Sequence, residues 1–333
     1  MAGKEKALQS KEVVPKMNSS TIRSKIDRNT ILTVGPIALM VVVAIVLGFL
    51  TPNFMTVGNA KNVLEQTSVL ALLAMGLTPV LVTGGIDLSL PANLSLGAVF
   101  GAIYMRGGGN PFIGALIMVA ACTLIGAFNG FAVSRLRIIP FVVTLATQFV
   151  AIGAATALTG GISVSQIPME YVDTVQYKLF GIPVYSLITI LLVVLFYILM
   201  TRSFFGRWIY AVGTNDRAAR VSGIPSEKVL LGSYSFAGLM AGLAAVISVG
   251  RLLSASALMA GDSVVLDSIA AAVVGGVSSF GGVGNPLGAA LGALLITLIS
   301  NSMNMMRVSY YLTLVLKGLV IVVFVWLNSR REQ

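Results

Sequence analysis

From Ser268 to Met306 the chain carries no charged side chain. Such a stretch is about twice the roughly 20 apolar residues that one membrane crossing requires. Gly281-Gly282-Val283-Gly284-Asn285-Pro286 divides it, because glycine and proline in series do not continue a helix. It reads as two spans joined by a tight turn. The remainder has the same character: 56% of the 333 residues are hydrophobic and 10% are charged, where soluble domains carry about 25% charge. So few charges cannot cover a water-facing surface. The sequence describes an all-α polytopic membrane protein.

Uncharged runs place spans near 31–50, 67–84, 92–105, 111–133, 139–159, 184–200, 229–250, 265–280, 287–305 and 310–328, about ten transmembrane helices. Several are short for a full crossing and need burial within the bundle or local thinning of the bilayer. Residues 31–328 read as a single transmembrane domain containing a polar cytoplasmic segment, 201–228. Residues 1–30, with seven basic side chains, read as a disordered cytoplasmic tail, and 329–333 as a second tail. The run 31–50 is too long for a signal-peptide core and lacks a small-x-small cleavage site, so it reads as a retained span. Loop charge agrees with this count. The basic tail, Arg135, Arg137, Arg202, Arg207, Arg217, Arg220, Lys228, Arg330 and Arg331 all fall on one side. The other side holds only Lys61, Arg106, Lys178, Arg251 and Arg307. By the positive-inside rule both termini are cytoplasmic.

Composition excludes several chemistries. The chain has no histidine, so imidazole bases and His metal ligands are missing. Its one cysteine, Cys122, lies in an apolar run and reads as packing. The only Gly-Lys pair, Gly3-Lys4, is followed by Glu5, so there is no P-loop and ATP chemistry must sit on another chain. No catalytic cluster, cofactor box or metal site is visible. The net charge of +10 follows membrane topology and does not indicate nucleic acid.

Within the spans, Gly97/Gly101, Gly126/Gly130, Gly238/Gly242 and Gly288/Gly292 form Gly-x-x-x-Gly pairs. Lacking Cβ atoms, they let helix backbones approach closely. Gly84-Gly85-Ile86 through Pro91 to Leu96-Gly97-Ala98 resembles Gly281-Gly282-Val283 through Pro286 to Leu291-Gly292-Ala293. Glycine/proline breaks at matching places in two halves point to a repeat-built transporter and its pathway. Few ionisable groups lie at membrane depth. Asp87 reads as a cap for the next helix or as a gate residue, Asp267 as a helix cap, and Lys317 as paired or snorkelling. The interior instead offers hydroxyls and amides: Thr78, Thr83, Asn93, Asn129, Thr144, Thr147, Gln148, Thr156, Asn301 and Asn304. They suit a neutral polyhydroxylated solute, and helix–helix hydrogen bonding accounts for them equally well. The candidate pathway or gate residues are Gly84, Gly85, Asp87, Ser89, Asn93, Thr144, Thr147 and Gln148.

In the polar segment 201–228, Asn215 or Asp216 can cap a short helix that Ala218 and Ala219 favour, Gly223 ends, and Pro225 cannot extend. A short charged helix between spans fits a groove on a soluble partner, or is an ordinary loop carrying inside charges.

Several stretches together resemble the permease subunits of bacterial ABC importers for monosaccharides of the ribose, xylose and arabinose type. They are Leu50-Thr51-Pro52-Asn53-Phe54, Gly84-Gly85-Ile86-Asp87-Leu88-Ser89, Phe141 through Thr147, Gly206 through Asn215, Ala218 through Ile224, and Leu266 through Gly276. The match runs over roughly residues 48–327. The resemblance implies two ten-helix permeases, as identical copies or paralogues, in a fold similar to the large vitamin B12-type importers. It implies two ATPase subunits that carry the ATP and magnesium, and a periplasmic sugar-binding protein. Asn215, Asp216, Arg217, Ala218, Ala219, Arg220, Ser222 and Gly223 then correspond to the coupling helix that docks on the ATPase. This sequence departs from the family where Leu90-Pro91-Ala92-Asn93 replaces the usual Val-Gly-Ser after Ser89. Proline at a first helical turn keeps the fold. Rival readings are an ABC permease for branched-chain amino acids or nucleosides, and a secondary carrier or facilitator, against which the scarcity of buried ionisable groups counts. A membrane-embedded enzyme would require the catalytic cluster that is lacking.

Overall fold

A computed structural model describes Val42, residues 45–261, residues 263–319 and Val322. The tail 1–30, most of the span near 31–50, the end of the span 310–328 and the tail 329–333 lie outside the described residues. The fold is helical. In chain order the elements are α1 (Val57–Val82), α2 (Leu90–Arg106), α3 (Pro111–Ser134), α4 (Pro140–Thr159) and α5 (Met169–Val175). A two-residue hairpin, β1 (Lys178–Leu179) and β2 (Ile182–Pro183), follows. Then come α6 (Val184–Arg202), α7 (Phe204–Thr214), α8 (Asp216–Val221), α9 (Ser226–Leu252), α10 (Ser263–Val274) and α11 (Pro286–Met305). Residues 45–50 and 310–319 are also helical. Six of these, α1, α3, α4, α6, α9 and α11, are long and apolar enough to cross a membrane.

Helix starts follow local chemistry. Asn110 caps α3 by accepting from the Phe112 and Ile113 amides, and Asn285 caps α11 by accepting from the Leu287 amide, each followed by proline at the first turn. The sequence places the second span at 67–84, yet α1 begins ten residues earlier at Val57, capped by Thr56. Lys61 and Glu65 hide these first turns from an apolar-run criterion. The span expected at 265–280 is also corrected. Its helix ends at Val274, because Gly276 adopts φ +88° and Gly281 and Gly282 follow at +89° and +75°, a left-handed region open to glycine.

All four Gly-x-x-x-Gly pairs lie at helix crossings. A β-carbon at Gly126 would collide with the Tyr234 carbonyl oxygen, and one at Gly238 with that of Cys122, so α3 and α9 cross in backbone contact. Gly97 and Gly101 seat α2 on Cys122 and Met118 of α3. Gly288 and Gly292 seat α11 on Gly275 and Ala271 at the end of α10. Lipid supplies no hydrophobic drive between helices, so this close approach and its dispersion contacts hold the bundle together. A second small-residue cluster, Ala71, Ala74, Ala270, Ala271, Ala293 and Ile296, joins α1, α10 and α11.

The two ends of the bundle are closed differently. At one, Arg135 pairs with Glu227 at 3.0 Å on an exposed edge. At the other, Val164 and Ala255 exchange backbone hydrogen bonds, Gln176 donates to the Gly250 carbonyl, and Tyr171 donates to that of Val246. Asp267 proves not to be a cap. It lies in the second turn of α10 and receives Lys317 Nζ at 2.8 and 3.0 Å, with both side chains largely buried. Lys317 therefore pairs across the bundle.

Candidate functional site

Gly84 to Ser89 form the break between α1 and α2. Gly84 turns the chain at φ +79°, and Asp87 is 3% exposed. The Ser89 amide and hydroxyl both donate to Asp87 Oδ1, at 2.9 and 2.6 Å. Ser89 occupies the cap position of α2 without a side-chain bond to the helix; Asp87, two residues earlier, satisfies its amide. The network then leaves the loop. Asn129 Nδ2 on α3 donates to Ser89 Oγ at 2.9 Å, and Thr147 on α4 donates to Asn129 Oδ1 at 2.6 Å. Thr144, one turn before Thr147, donates to the Ile86 carbonyl at 3.4 Å and to that of Pro140 at 3.0 Å. Gly85 is buried where a β-carbon would meet the Tyr234 hydroxyl of α9. Three helices therefore clamp one loop.

The structure thus brings Gly84, Gly85, Asp87, Ser89, Thr144 and Thr147 together, with Asn129 and Tyr234 added. It places the other two candidates elsewhere. Asn93 is 1% exposed, and its amide donates to the Cys122 carbonyl at 3.0 Å while Cys122 Sγ donates to the Asn93 carbonyl. That reciprocal pair fastens α2 to α3. Gln148 is half-buried and lines a narrow cleft with Pro91, Ser95, Ala257 and Gly261. A cavity of about 610 Å³ lies between α3 and α4 beside Leu96 of α2, with Leu124, Phe128, Leu136 and Val142 among its walls. Thr147 is its one polar side chain, so a polyhydroxylated solute would find almost nothing there to bond.

The second break, residues 275–285, is more open, with Phe280 and Val283 exposed. It is held chiefly through its backbone: the Gly282 amide donates to the Val82 carbonyl at 2.8 Å, and the Tyr210 hydroxyl of α7 donates to that of Gly284 at 2.8 Å. Burial pushes the Tyr210 phenol above its ordinary range, which keeps it an O–H donor. The two breaks recognised as relatives in the sequence therefore meet in space.

In the polar segment, Asn215 caps α8, accepting from the Ala218 amide at 2.9 Å. Gly223 at φ +82° ends it, with the Ile224 amide returning to the Ala219 carbonyl. Asp216 and Arg220 pair at 3.0 Å. The outward face carries Arg217, Ala218, Val221, Ser222 and Gly223, with Val221 87% exposed, whereas Ala219 is 4% exposed and packs inward. Sequence reasoning missed α7, although Phe204, Phe205, Trp208, Ile209 and Val212 repeat at helical spacing after the Ser203 cap. Tyr210 and Gly213 were missed with it.

A helical membrane bundle with two glycine-broken hairpins and a small capped helix on a polar segment has the anatomy of a transport permease. Residues 59–325 match the family described as branched-chain amino acid transport system / permease component, and the chain belongs to it. Among curated relatives it is 35% identical to the ribose import permease protein RbsC of Bacillus subtilis (strain 168), over 90% of this chain and 93% of that one. It is 38% identical to RbsC of Escherichia coli (strain K12), over 89% and 93%. To the D-allose transport system permease protein AlsC of the same strain it is 34% identical, over 86% and 89%. No solved structure matches the chain.

Proposed function

We propose that this chain is the transmembrane subunit of a binding-protein-dependent ABC importer that carries a monosaccharide across the bacterial inner membrane. The observation that carries the reading is similarity to permeases named for ribose and allose over about nine-tenths of the chain. These relatives favour sugar over the amino acids in the family's description. In the full reading the chain has ten spans in a vitamin B12-type arrangement, with both termini cytoplasmic. Two such permeases, identical or paralogous, sit on two ATPase subunits that hold ATP and magnesium, and a periplasmic sugar-binding protein delivers the solute.

Coupling runs through α8. Its cap and its glycine stop make it a self-contained rigid turn. Its outward side presents one large apolar side chain, Val221, beside Arg217, Ala218 and Ser222, a knob suited to a groove on a soluble subunit. ATP binding and hydrolysis on the partner would displace this knob and rock the helices between inward- and outward-open states. Selection of the sugar falls mainly to the delivering protein.

Gentle affinity purification of the tagged chain from its native membrane tests this. The expected result is stoichiometric recovery of a P-loop ATPase, lost in Val221→Glu while the permease stays folded. A preparation without an ATPase that still moves sugar in vesicles without ATP contradicts the reading and leaves a facilitator.

A further inference from the structure

The end of α7 touches both breaks at once. A β-carbon at Gly213 would overlap the Val82 carbonyl oxygen at the end of α1 and lie 2.6 Å from the Gly282 amide. One at Gly281 would lie 3.0 Å from the Gly213 carbonyl oxygen and 3.1 Å from the Gly84 nitrogen. One at Gly282 would lie 2.9 Å from Thr214 Oγ1. Three stretches of backbone, from α7 and from each break, thus pack directly together, with the Thr214 side chain set against Gly282. Two hydrogen bonds hold the contact: Gly282 to the Val82 carbonyl, and Tyr210 of α7 to that of Gly284.

On its other side, α7 runs into α8 through a single residue. Asn215 accepts the α8 cap bond through its side chain, while its own amide donates to the Ala211 carbonyl of α7 at 3.1 Å. The two helices therefore form one elbow with no flexible linker. A side chain at the junction could absorb a shift by changing rotamer, but backbone against backbone cannot. Packed contacts of this kind hold or jump between discrete arrangements.

We propose that the Gly84–Gly213–Gly281 junction is the transmission point of the transporter, with Gly213 and Tyr210 as positioning residues that carry the displacement of α8 into both breaks together. The inference rests on the importer reading above. It gives the repeat-related breaks one shared input, so α1, α2, α10 and α11 are re-aimed in concert.

The test uses the complete importer, with permease, ATPase and solute-loaded binding protein in lipid nanodiscs or vesicles. Three readouts are taken: ATPase retained on the permease, hydrolysis with and without loaded binding protein, and solute uptake. Gly213→Ala is expected to retain the ATPase and basal hydrolysis while stimulation and uptake fall by roughly fivefold or more, the lower end of site-to-site coupling factors. Tyr210→Phe, which removes one hydrogen bond, is expected to lower the same ratio by a smaller factor. Gly58→Ala, in open space, is expected to behave as the wild type. Wild-type stimulation in Gly213→Ala overturns the inference. Should Gly213→Ala fail to assemble, Tyr210→Phe decides alone, and an unchanged ratio of stimulated to basal hydrolysis overturns it. A wild-type complex that shows no ATP-linked uptake contradicts the importer reading itself, a distinguishable failure that removes this inference too.

Discussion

The two glycine-broken segments share a texture in sequence but differ in how the structure holds them. Around Gly84–Ser89, Gly85, Asp87 and Ser89 are buried, and side chains from α3 and α4 bond the loop through Asp87, Ser89, Asn129, Thr147 and Thr144. Around 275–285, Phe280 and Val283 are exposed, and the main ties are one backbone hydrogen bond and the Tyr210 hydroxyl. The first break is fixed by many partners that must all move together. The second is held mainly by main-chain contacts with α1 and α7. The two breaks thus differ in how far side-chain bonding ties them down, and α7 touches both.

That difference can be broken from the outside in. Removing one partner of the buried ion pair at α10, which leads into the second break, should have the largest effect. Lys317→Met strands Asp267 and is expected to cost about 3–5 kcal/mol, read as a lowered melting temperature in detergent, whereas Asp267→Leu with Lys317→Met restores most of it. Next, Asn129→Leu leaves Ser89 and Thr147 without their partner in the first break. The expected loss is about 1–3 kcal/mol, measured the same way. Tyr210→Phe removes one hydrogen bond at the second break and is expected to cost about 0.5–1.5 kcal/mol of stability. Asp216→Ala, in an exposed pair on α8, should change stability by no more than about 0.5 kcal/mol. If Asn129→Leu proved milder than Tyr210→Phe, the first break would not be the more firmly held of the two.

Much of this was legible in the residues, and the reasons differ by element. The division of the charge-free stretch at Gly281–Pro286 was readable because glycine and proline act on backbone geometry wherever they occur. The Gly-x-x-x-Gly pairs were readable because close approach needs that spacing. The start of α1 was hidden, since Lys61 and Glu65 interrupt the apolar pattern although helix formation does not require one. The Asp267–Lys317 pair was hidden because nothing local links positions fifty residues apart. The outward and inward sides of α8 were also hidden: Ala218 and Ala219 look alike in sequence, but only Ala219 packs inward. Gly213 was the hardest to see, because a contact made by backbone alone leaves no side-chain pattern.

The central claim is that this chain moves a monosaccharide only when an ATPase drives it. Its most direct test is uptake of radiolabelled pentoses and hexoses into proteoliposomes holding the permease with its co-purified ATPase and binding protein. The account predicts accumulation of one sugar or a few related sugars that requires ATP and is abolished by Val221→Glu. Uptake that proceeds equally without ATP, or that survives Val221→Glu unchanged, would contradict it.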